Sequence, residues 1–508
     1  MADALDPCYR QNPDYRPHQD GTFWLLQTAA GWGLACDEPV YRVWSAFDGR
    51  PTAEVISTLT AETGLSAAFV ECAAKVLARA GVLLPSLPLP PLPRLPAGDI
   101  ADLQPFPLVS VIILASRQAR VHLETCLPSV LAQTYPNLEI ILVDNQTTDD
   151  SAAFTRQHFP QVKILTTPRP MGFAEANNLA MEQAQGEFLF LVNEDTEMEP
   201  DCVAECVRVM LRSERIAAAA PKMKLYYMRH FFNSMGNSLH PDGNSHDNFI
   251  GYLDAGQFDG TDQVFTACFG AAMLRRSVVK EIGGMDPEFF VYYADTDWCF
   301  RARLCGYDVV AAPRAVIYHK FTATVNTMAS TFKLELITYS RPWFAWKNLD
   351  FRRASRFLWF YLQRDFGGYL WARRQGLPEV AATLRRSWGR WLRALPRATL
   401  ARWRTRRLRR PPFSDDAALA LTAIAPRPAM YGQYPVIAAP FIRGHYMHLE
   451  TFRPESAPTA ADLAPTDVPP PSSVSYLGRR AWQTFRERGL RGLVDETRCY
   501  FLWRISPR

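Results

Sequence analysis

Apolar residues along this chain follow two rhythms, separated by a run of prolines. Residues 108–115 (LVSVIILA) form a nearly continuous β-branched run, the pattern of a strand buried on both faces. A helical segment to residue 133 follows, then a second apolar strand at 138–143 (LEIILV). A helix at 151–159, a strand at 162–165, a helix at 174–185 and a strand at 188–192 complete the series. Strands alternating with helices at this spacing predict an α/β domain with a parallel, doubly wound sheet, whose ligands bind at the carboxyl ends of the strands.

Upstream the rhythm differs. Residues 22–27 and 32–35 alternate as a small hairpin does. Val40, Val43, Trp44 and Phe47 then share one helical face, and Asp48-Gly49 breaks it. A second helix starts at Thr52 with Val55, Ile56 and Leu59, and a third, 69–80, ends at Gly81 before Val82-Leu83-Leu84. Six prolines in the twelve residues 85–96 make a stiff extended spacer and a domain boundary. From Pro411 onward there are thirteen prolines in 98 residues, an irregular pattern with one helix near 479–503. The chain therefore divides into 1–84, a linker 85–104, a catalytic-sized α/β unit 105–325, a helical segment 326–410 and a tail 411–508.

Composition narrows the class. The chain has 508 residues, enough for two to four domains, and 48% hydrophobic residues exclude a wholly disordered protein. The longest apolar runs, such as 111–115 and 357–362, fall short of the ~20 residues of a membrane span. The first residues, MADALD, lack the basic start and apolar stretch of a secretory signal, so a cytoplasmic location is expected. Ten cysteines without a Cys-x-x-Cys motif read as reduced core residues; Cys202 and Cys206, four apart, lack the partners of a zinc set.

The net charge of +5 hides an asymmetry. Residues 341–410 hold 19 Lys or Arg against three acids (Asp350, Asp365 and Glu379), a net of +16 that leaves −11 for the remainder. Seven of the thirteen tryptophans fall there too. Trp388, Trp391 and Leu395 lie on one helical face with Arg385, Arg386, Arg390 and Arg393 largely elsewhere, the composition of a helix in a membrane interface. A helical hairpin packed on the catalytic unit fits the same spacing. No nucleic-acid-binding motif accompanies the charge.

The second strand ends in Asp144-Asn145 and the fourth in Asn193-Glu194-Asp195-Thr196, two acidic ends that converge on one crevice in a doubly wound sheet. Carboxylates there suit a hard cation such as Mg2+ or Mn2+, which keeps positions open for phosphate oxygens. The chain has no GxxxxGK[ST] loop, so any phosphate charge falls to such a metal.

These motifs, taken in order, carry a resemblance. VSVIIL, ILVDNQTTDDS, MGFAEANNLAMEQAQGEFLFLVNEDTEMEP, FGAAMLRRSVVKEIGGMDPEFF, DTDWCFRARLCGYDV and AVIYHK, over about 210 residues from Val109 to Lys320, are similar to family 2 glycosyltransferases of the GT-A fold, closest in style to rhamnosyltransferase-like members. The resemblance implies an inverting, metal-dependent transfer of a hexosyl or deoxyhexosyl group from a nucleotide-diphospho-sugar to a hydroxyl. It places Asp144 and Asn145 at the donor nucleoside, Asn193 and Asp195 at the DxD position, and Asp195 on the metal. His319 matches a late histidine that approaches the metal or the phosphate, although a satisfied core histidine is the plain alternative. Asp295 matches the second letter of the family's Glu-Asp pair and so the base. Gly270 and the GGMDPEFF turn match the acceptor side, with Asp297 either beside the acceptor or serving the helix N-terminus. Phe269 and Phe290 stack on a sugar or pack in the core, and Arg301 and Arg303 reach phosphate or lie solvated on a helix.

Two departures stand out. Ala294 occupies the position of the family's Glu, and Leu114-Ala115-Ser116-Arg117-Gln118 replaces a Pro-x-Tyr-Asn turn. They support a second reading, a catalytically degenerate fold that binds a peptide or nucleotide sugar as a scaffold. The first 84 residues, through ACDEPVYRVWSAFDGRPTAEVISTL and KVLARAGVLL, resemble PqqD-like winged-helix domains. That resemblance implies capture of a leader peptide on a strand edge, or a docking domain that binds none. The acceptor is then a glycan, a lipid-linked glycan or a peptide, and the basic segment suits peripheral contact with the inner face of a membrane.

Overall fold

The structure is a computed structural model. It describes residues 8–410 and Asp415, apart from 21–22, 28–32, 37, 90, 93, 227, 240–244, 251–253, 255, 257, 321–329 and 375. The expected helix at 479–503 and most of the proline-dense tail lie outside the described residues.

Among the described residues the N-terminal unit holds two three-stranded antiparallel sheets and three helices. Strands β1 (Cys8–Gln11), β2 (Arg16–Asp20), β3 (Phe23–Gln27) and β4 (Gly33–Cys36) precede α1 (Glu38–Ala46), β5 (Asp48–Pro51), α2 (Thr52–Thr63), α3 (Ala67–Arg79) and β6 (Leu83–Pro85). One sheet runs β5-β1-β6 and the other β2-β3-β4. Val40, Val43, Trp44, Phe47, Val55 and Leu59 are buried together, so the helical spacing read from the sequence forms one core. Leu225, Met228 and Phe231 of the following domain close that core.

Among the described residues the proline run beyond β6 has no regular structure. Its end is fastened rather than free. Gly98 N–H donates to Glu205 (2.7 Å), the Arg208 guanidinium to the Asp99 carbonyl (2.6 Å), and a 3-10 turn, Ile100–Leu103, follows.

The central domain comprises β7 (Val109–Ser116), α4 (Arg120–Leu131), β8 (Leu138–Asn145), α5 (Ser151–His158), β9 (Lys163–Thr166), α6 (Phe173–Gln183), β10 (Phe188–Asn193), β11 (Thr196–Met198) and α7 (Cys202–Met210). It continues through β12 (Ile216–Leu225), β13 (Met228–Ser234), β14 (Asn237–Leu239), β15 (Ser245–Asp247), β16 (Ala271–Arg275), α8 (Arg276–Ile282), α9 (Ala294–Leu304) and β17 (Asp308–His319). The main sheet runs β11-β17-β12-β16-β10-β7-β8-β9, with β13 beside β12. Along β7, Val109, Val111 and Ile113 face one core with α4 and α7, while Ile112 and Leu114 face the other with α6 and α9. Both faces are covered, which is why the run is apolar at consecutive positions.

The α/β expectation holds, but the sheet is mixed rather than wholly parallel. β9, β8, β7 and β10 are parallel, whereas β16 is antiparallel to both β10 and β12. A strand buried on both faces carries the same apolar pattern in either direction, so pattern alone leaves strand direction open.

Three helices complete the described chain: α10 (Ser330–Asn348), α11 (Phe351–Arg374) and α12 (Pro378–Arg407). The face expected at a membrane points inward instead. Trp391 is buried, Trp388 and Leu395 pack against the large core, and the Trp388 indole donates to Asp365 at 2.9 Å. Asp365 also accepts from the buried Arg341 at 2.9 Å, which ties all three helices together. Among the described residues no helix is long and apolar enough to cross a membrane.

Because Phe231 is fully buried where the two domains meet, Phe231→Ala leaves a cavity in the shared core. The expected cost is about 3–5 kcal/mol. Chemical denaturation measures it, and limited proteolysis in residues 86–97 should accelerate as the N-terminal unit loosens.

Candidate active site

The carboxyl ends of β7, β8 and β10 form one edge. Pairing sets Asn193 beside Leu114 and Asp144 beside Ala115, so Asn193 and Asp144 flank β7. Two strand spacings put them about 10 Å apart, roughly the reach from a nucleoside to its diphosphate. The Asp144 carboxylate accepts from Thr147 N–H (3.0 Å), Thr147 Oγ1 (2.7 Å) and Thr166 Oγ1 (3.3 Å), which fixes the turn after β8. Asn145 is a strap for the neighbouring loop. Its Oδ1 accepts from Met171 N–H (2.8 Å) and Thr167 Oγ1 (3.1 Å), and its Nδ2 donates to the Met171 carbonyl (2.9 Å). Those bonds fix the loop after β9 against the end of β8.

Beyond Asn193 the chain turns at Glu194-Asp195 into β11. The short strand pairs antiparallel with the end of β17, Thr196 opposite His319, and Lys320 N–H donates to the Asp195 carbonyl at 2.8 Å. That register brings Asp195 and His319 together, with His319 Nε2 3.2 Å from Asp195 Oδ1. Both side chains are buried. Burial opposes the charge on Asp195, but His319 and His122 beside it hold the carboxyl below its ordinary range. Burial likewise opposes a charged His319, yet Asp195 and, more weakly, Asp247 raise it above an ordinary histidine.

His319 Nδ1 lies 2.6 Å from Asn233 Oδ1. With Nδ1 donating to that oxygen, the neutral ring directs the Nε2 lone pair at Asp195. Asp195 Oδ1 in turn is buried, with His319 Nε2 facing it at 3.2 Å. Two lone pairs 3.2 Å apart repel unless a proton or a cation lies between them. A proton on the raised His319 joins the pair, and the same two atoms would fit a hard divalent ion in its place. Among the described residues no cluster of three or more His, Cys, Asp or Glu side chains forms a metal cage. A site with two protein ligands suits an ion whose other positions go to phosphate oxygens and water.

Asp295 lies in the first turn of α9, and Asp247 feels the charge of both it and His319. Asp295 Oδ1 accepts from Thr296 N–H at 2.7 Å and its Oδ2 from Asn237 Nδ2 at 3.2 Å. Burial pushes its pKa up, and the bonds from Thr296 and Phe269 N–H offset only part of that. One stretch of chain, Asn233 to Asn237, thus touches His319 at its start and Asp295 at its end. Asn237 also pairs with Asp247 across the β14–β15 hairpin. Burial and the Asp295 charge push the Asp247 carboxyl up to about 7. Ala294, at the position of the family's Glu, is buried in the apolar core.

Gly270 borders Asn193, whose N–H donates to the Gly270 carbonyl at 2.9 Å. A Cβ on Gly270 would sit 3.3 Å from Met223 Cε and 3.5 Å from the Asn193 amide, so a side chain there narrows the crevice. Asp297 is not brought to the crevice. It is fully buried, with Lys347 (2.7 Å) and Asn348 (2.8 Å) on Oδ1 and Arg301 (2.9 Å) on Oδ2. It joins α9 to α10. Neither expectation for the arginines holds. Arg301 and Arg303 are buried and donate to backbone carbonyls, Arg301 to Ile282 (2.7 Å) and Gly284 (2.6 Å), and Arg303 to Phe265 (2.9 Å). Phe269 packs in the core beside Trp298, whereas Phe290 is 37% exposed.

Sequence reasoning missed His122, Asn233, Asn237, Asp247 and Lys320. Asn233, Asn237 and Asp247 belong to no motif that resemblance supplied. The signal within reach was Lys320, directly after His319 in the run AVIYHK.

Residues 110–283, about a third of the chain, match the family Glycosyl transferase family 2, so the chain contains a domain of that family. A protein of Sinorhizobium fredii, y4gI, is 30% identical over 268 residues, covering 48% of this chain and 28% of that protein. The O-antigen biosynthesis protein RfbC of Myxococcus xanthus is 28% identical over 248 residues, covering 47% and 19%. The chain thus spans less than a third of the length of either relative. Among solved structures, a mannosyltransferase of Pyrobaculum calidifontis in complex with GDP-Man and Mn2+ is 17% identical, covers 77% of this chain and 96% of that one, and has a TM-score of 0.37.

Truncating Asp297 removes the carboxylate paired with the buried Arg301 and leaves Lys347 to Asp286. Asp297→Ala should cost about 3–5 kcal/mol. Neighbouring Lys347 and Arg301 hold the Asp297 carboxyl below its ordinary range against the opposing effect of burial. Its contribution is therefore present above the ordinary carboxylate pKa of 3.8 and is lost as pH falls through the lower folded value. Denaturation curves of wild type and variant should converge only at strongly acidic pH.

Proposed function

We propose that residues 105–325 form an inverting, metal-dependent glycosyltransferase domain of the GT-A type, rhamnosyltransferase-like, acting on a nucleotide-diphospho-sugar with a hexosyl or deoxyhexosyl group. The observation that carries this reading is the span Asn233–Asn237, which holds His319 at one end and Asp295 at the other. In this reading Asp195 and His319 would hold a cation and Asp295 would serve as base, beside the strand ends that a nucleoside would occupy.

In this reading the donor nucleoside lies along Asp144 and the diphosphate reaches toward Asp195. Asp195 and His319 would hold Mg2+ or Mn2+, which when bound neutralises the diphosphate charge. The Asn193 amide orients the ribose or a phosphate-bound water, and Lys320 adds a cation next to Asp195. Asp295 accepts the proton of the acceptor hydroxyl as that oxygen attacks the anomeric carbon. The sugar–phosphate bond breaks in the same step, and the nucleoside diphosphate leaves with the bonding pair. Attack from the face opposite the leaving group inverts the anomeric centre. Ala294 does not leave Asp295 as the lone acid, because Asp247 supplies a second carboxyl close enough to feel its charge.

The N-terminal unit is in this proposal a PqqD-like winged-helix module that captures a leader peptide. Supporting it, β2 lies at the edge of its sheet among the described residues, where an added strand can pair. The acceptor is then a peptide, or a glycan or lipid-linked glycan. Seven described cysteines are free thiols, which suits a reducing cytoplasm.

Asp195→Ala should weaken donor binding with Mn2+, read by isothermal titration with the nucleoside diphosphate. Asp295→Asn should leave that binding intact and lower transfer by about 10²–10⁴-fold. Wild-type kcat/KM should fall on acidification through a limb above the ordinary aspartate value of 3.8, because burial raises Asp295 and only its ionised form accepts the proton. Undiminished transfer in Asp295→Asn would refute the base assignment.

A further inference from the structure

The helical segment presents a second surface, distinct from the face read in the sequence. On α11, Phe351, Trp359, Leu362, Phe366 and Leu370 are 67%, 61%, 43%, 59% and 39% exposed. At 100° per residue their positions fall within an arc of about 100°, one continuous outward stripe along the helix. A separate side of α11, about 120° round the helix, is the packed one, through Ala354, Tyr361, Asp365, Gly368 and Ala372. Packing within the bundle therefore does not account for the outward aromatics, which form a contiguous apolar patch of the kind that marks an interaction site. Beside α11, α12 exposes Leu392, Leu400 and Trp403 at 58%, 48% and 53%, interspersed with exposed arginines such as Arg393 and Arg404.

Charge selects the partner. Arg352, Arg373 and Arg374 are exposed on α11. The two helices carry only two acids: Asp365 is buried against Arg341, and Glu379 stands at the first turn of α12. Large apolar side chains set in a field of arginines complement a surface that is anionic outside and apolar within. Neither helix is apolar enough to cross a membrane. A 24-residue helix lying flat offers a contact line of roughly 36 Å.

We propose that α11 and α12 form a peripheral docking face for an anionic lipid bilayer, with Phe351, Trp359, Phe366 and Trp403 entering the headgroup–acyl boundary and the arginines meeting lipid phosphates. The proposal stands apart from the catalytic reading, since Asp295→Asn leaves the face untouched.

The full chain is mixed with vesicles of phosphatidylcholine containing 30% phosphatidylglycerol (on the order of physiological anionic content) and with pure phosphatidylcholine vesicles, and both are sedimented. Partitioning should be at least tenfold stronger on the anionic vesicles and should weaken with salt. Trp359→Ser with Phe366→Ser, and separately Arg393→Glu with Arg404→Glu, should each lower it at least tenfold while the far-ultraviolet circular dichroism stays unchanged. Should either double variant misfold, quenching of wild-type tryptophan fluorescence by brominated lipid, reduced in Trp359→Phe, reads the same contact. Equal partitioning on both vesicle types, no sedimentation, or unaltered binding by well-folded variants overturns the proposal. So does a self-association in analytical ultracentrifugation that Trp359→Ser with Phe366→Ser abolishes, which would assign the stripe to a second copy.

Discussion

Three residues of backbone pairing govern the candidate site. β11 is only Thr196–Met198, yet its antiparallel match to the end of β17 brings Asp195 and His319 within 3.2 Å although 123 positions separate them in the chain. The Lys320 N–H closes the arrangement on the Asp195 carbonyl. A slip of one residue would turn His319 to the opposite face of the sheet and part the two groups. Burial sharpens the consequence: a carboxylate and an imidazole out of water need a shared proton or cation, which makes this point on the sheet edge selective for positive charge.

The second half of the crevice hangs on the span from β13 to β14. Asn233 orients the histidine, Asn237 holds Asp295, and the β14–β15 hairpin adds Asp247. Amide side chains do this work because they orient a carboxylate or an imidazole without adding charge to a crowded cluster. Burial raises both carboxyls, and the Asp295 charge helps push Asp247 up to about 7.

A small part of the chain's basic charge serves the interior. Arg301 and Arg303 terminate backbone carbonyls, Arg341 pairs with Asp365, and Lys347 bridges Asp286 and Asp297 at 2.7 Å each. A guanidinium offers five donors in a planar fork, which lets one residue satisfy several loop carbonyls that no strand or helix reaches. Lys347 and Asp297 in particular weld α10 to the helix that begins with the candidate base, coupling the basic segment to the site by ion pairs rather than by surface potential.

The sequence by itself determined the order and type of the elements from β7 to β10, because consecutive apolar β-branched positions and the helical spacing between them have few other uses. It also marked Asp144, Asn193, Asp195, Asp295 and His319, since each sits in a run where element boundary and motif coincide. Tertiary structure decided the rest. The direction of β16 is invisible in a pattern that burial on both faces imposes either way. Asp297 and Asp295 are two residues apart on one helix, and only the packing of α10 shows that one is consumed by Lys347, Asn348 and Arg301 while the other faces the crevice. The same holds for the tryptophans. Helical periodicity groups Trp388 with Trp391, and equally groups Trp359 with Phe366. Which stripe is buried depends on where neighbouring helices lie, a long-range fact that no local spacing encodes.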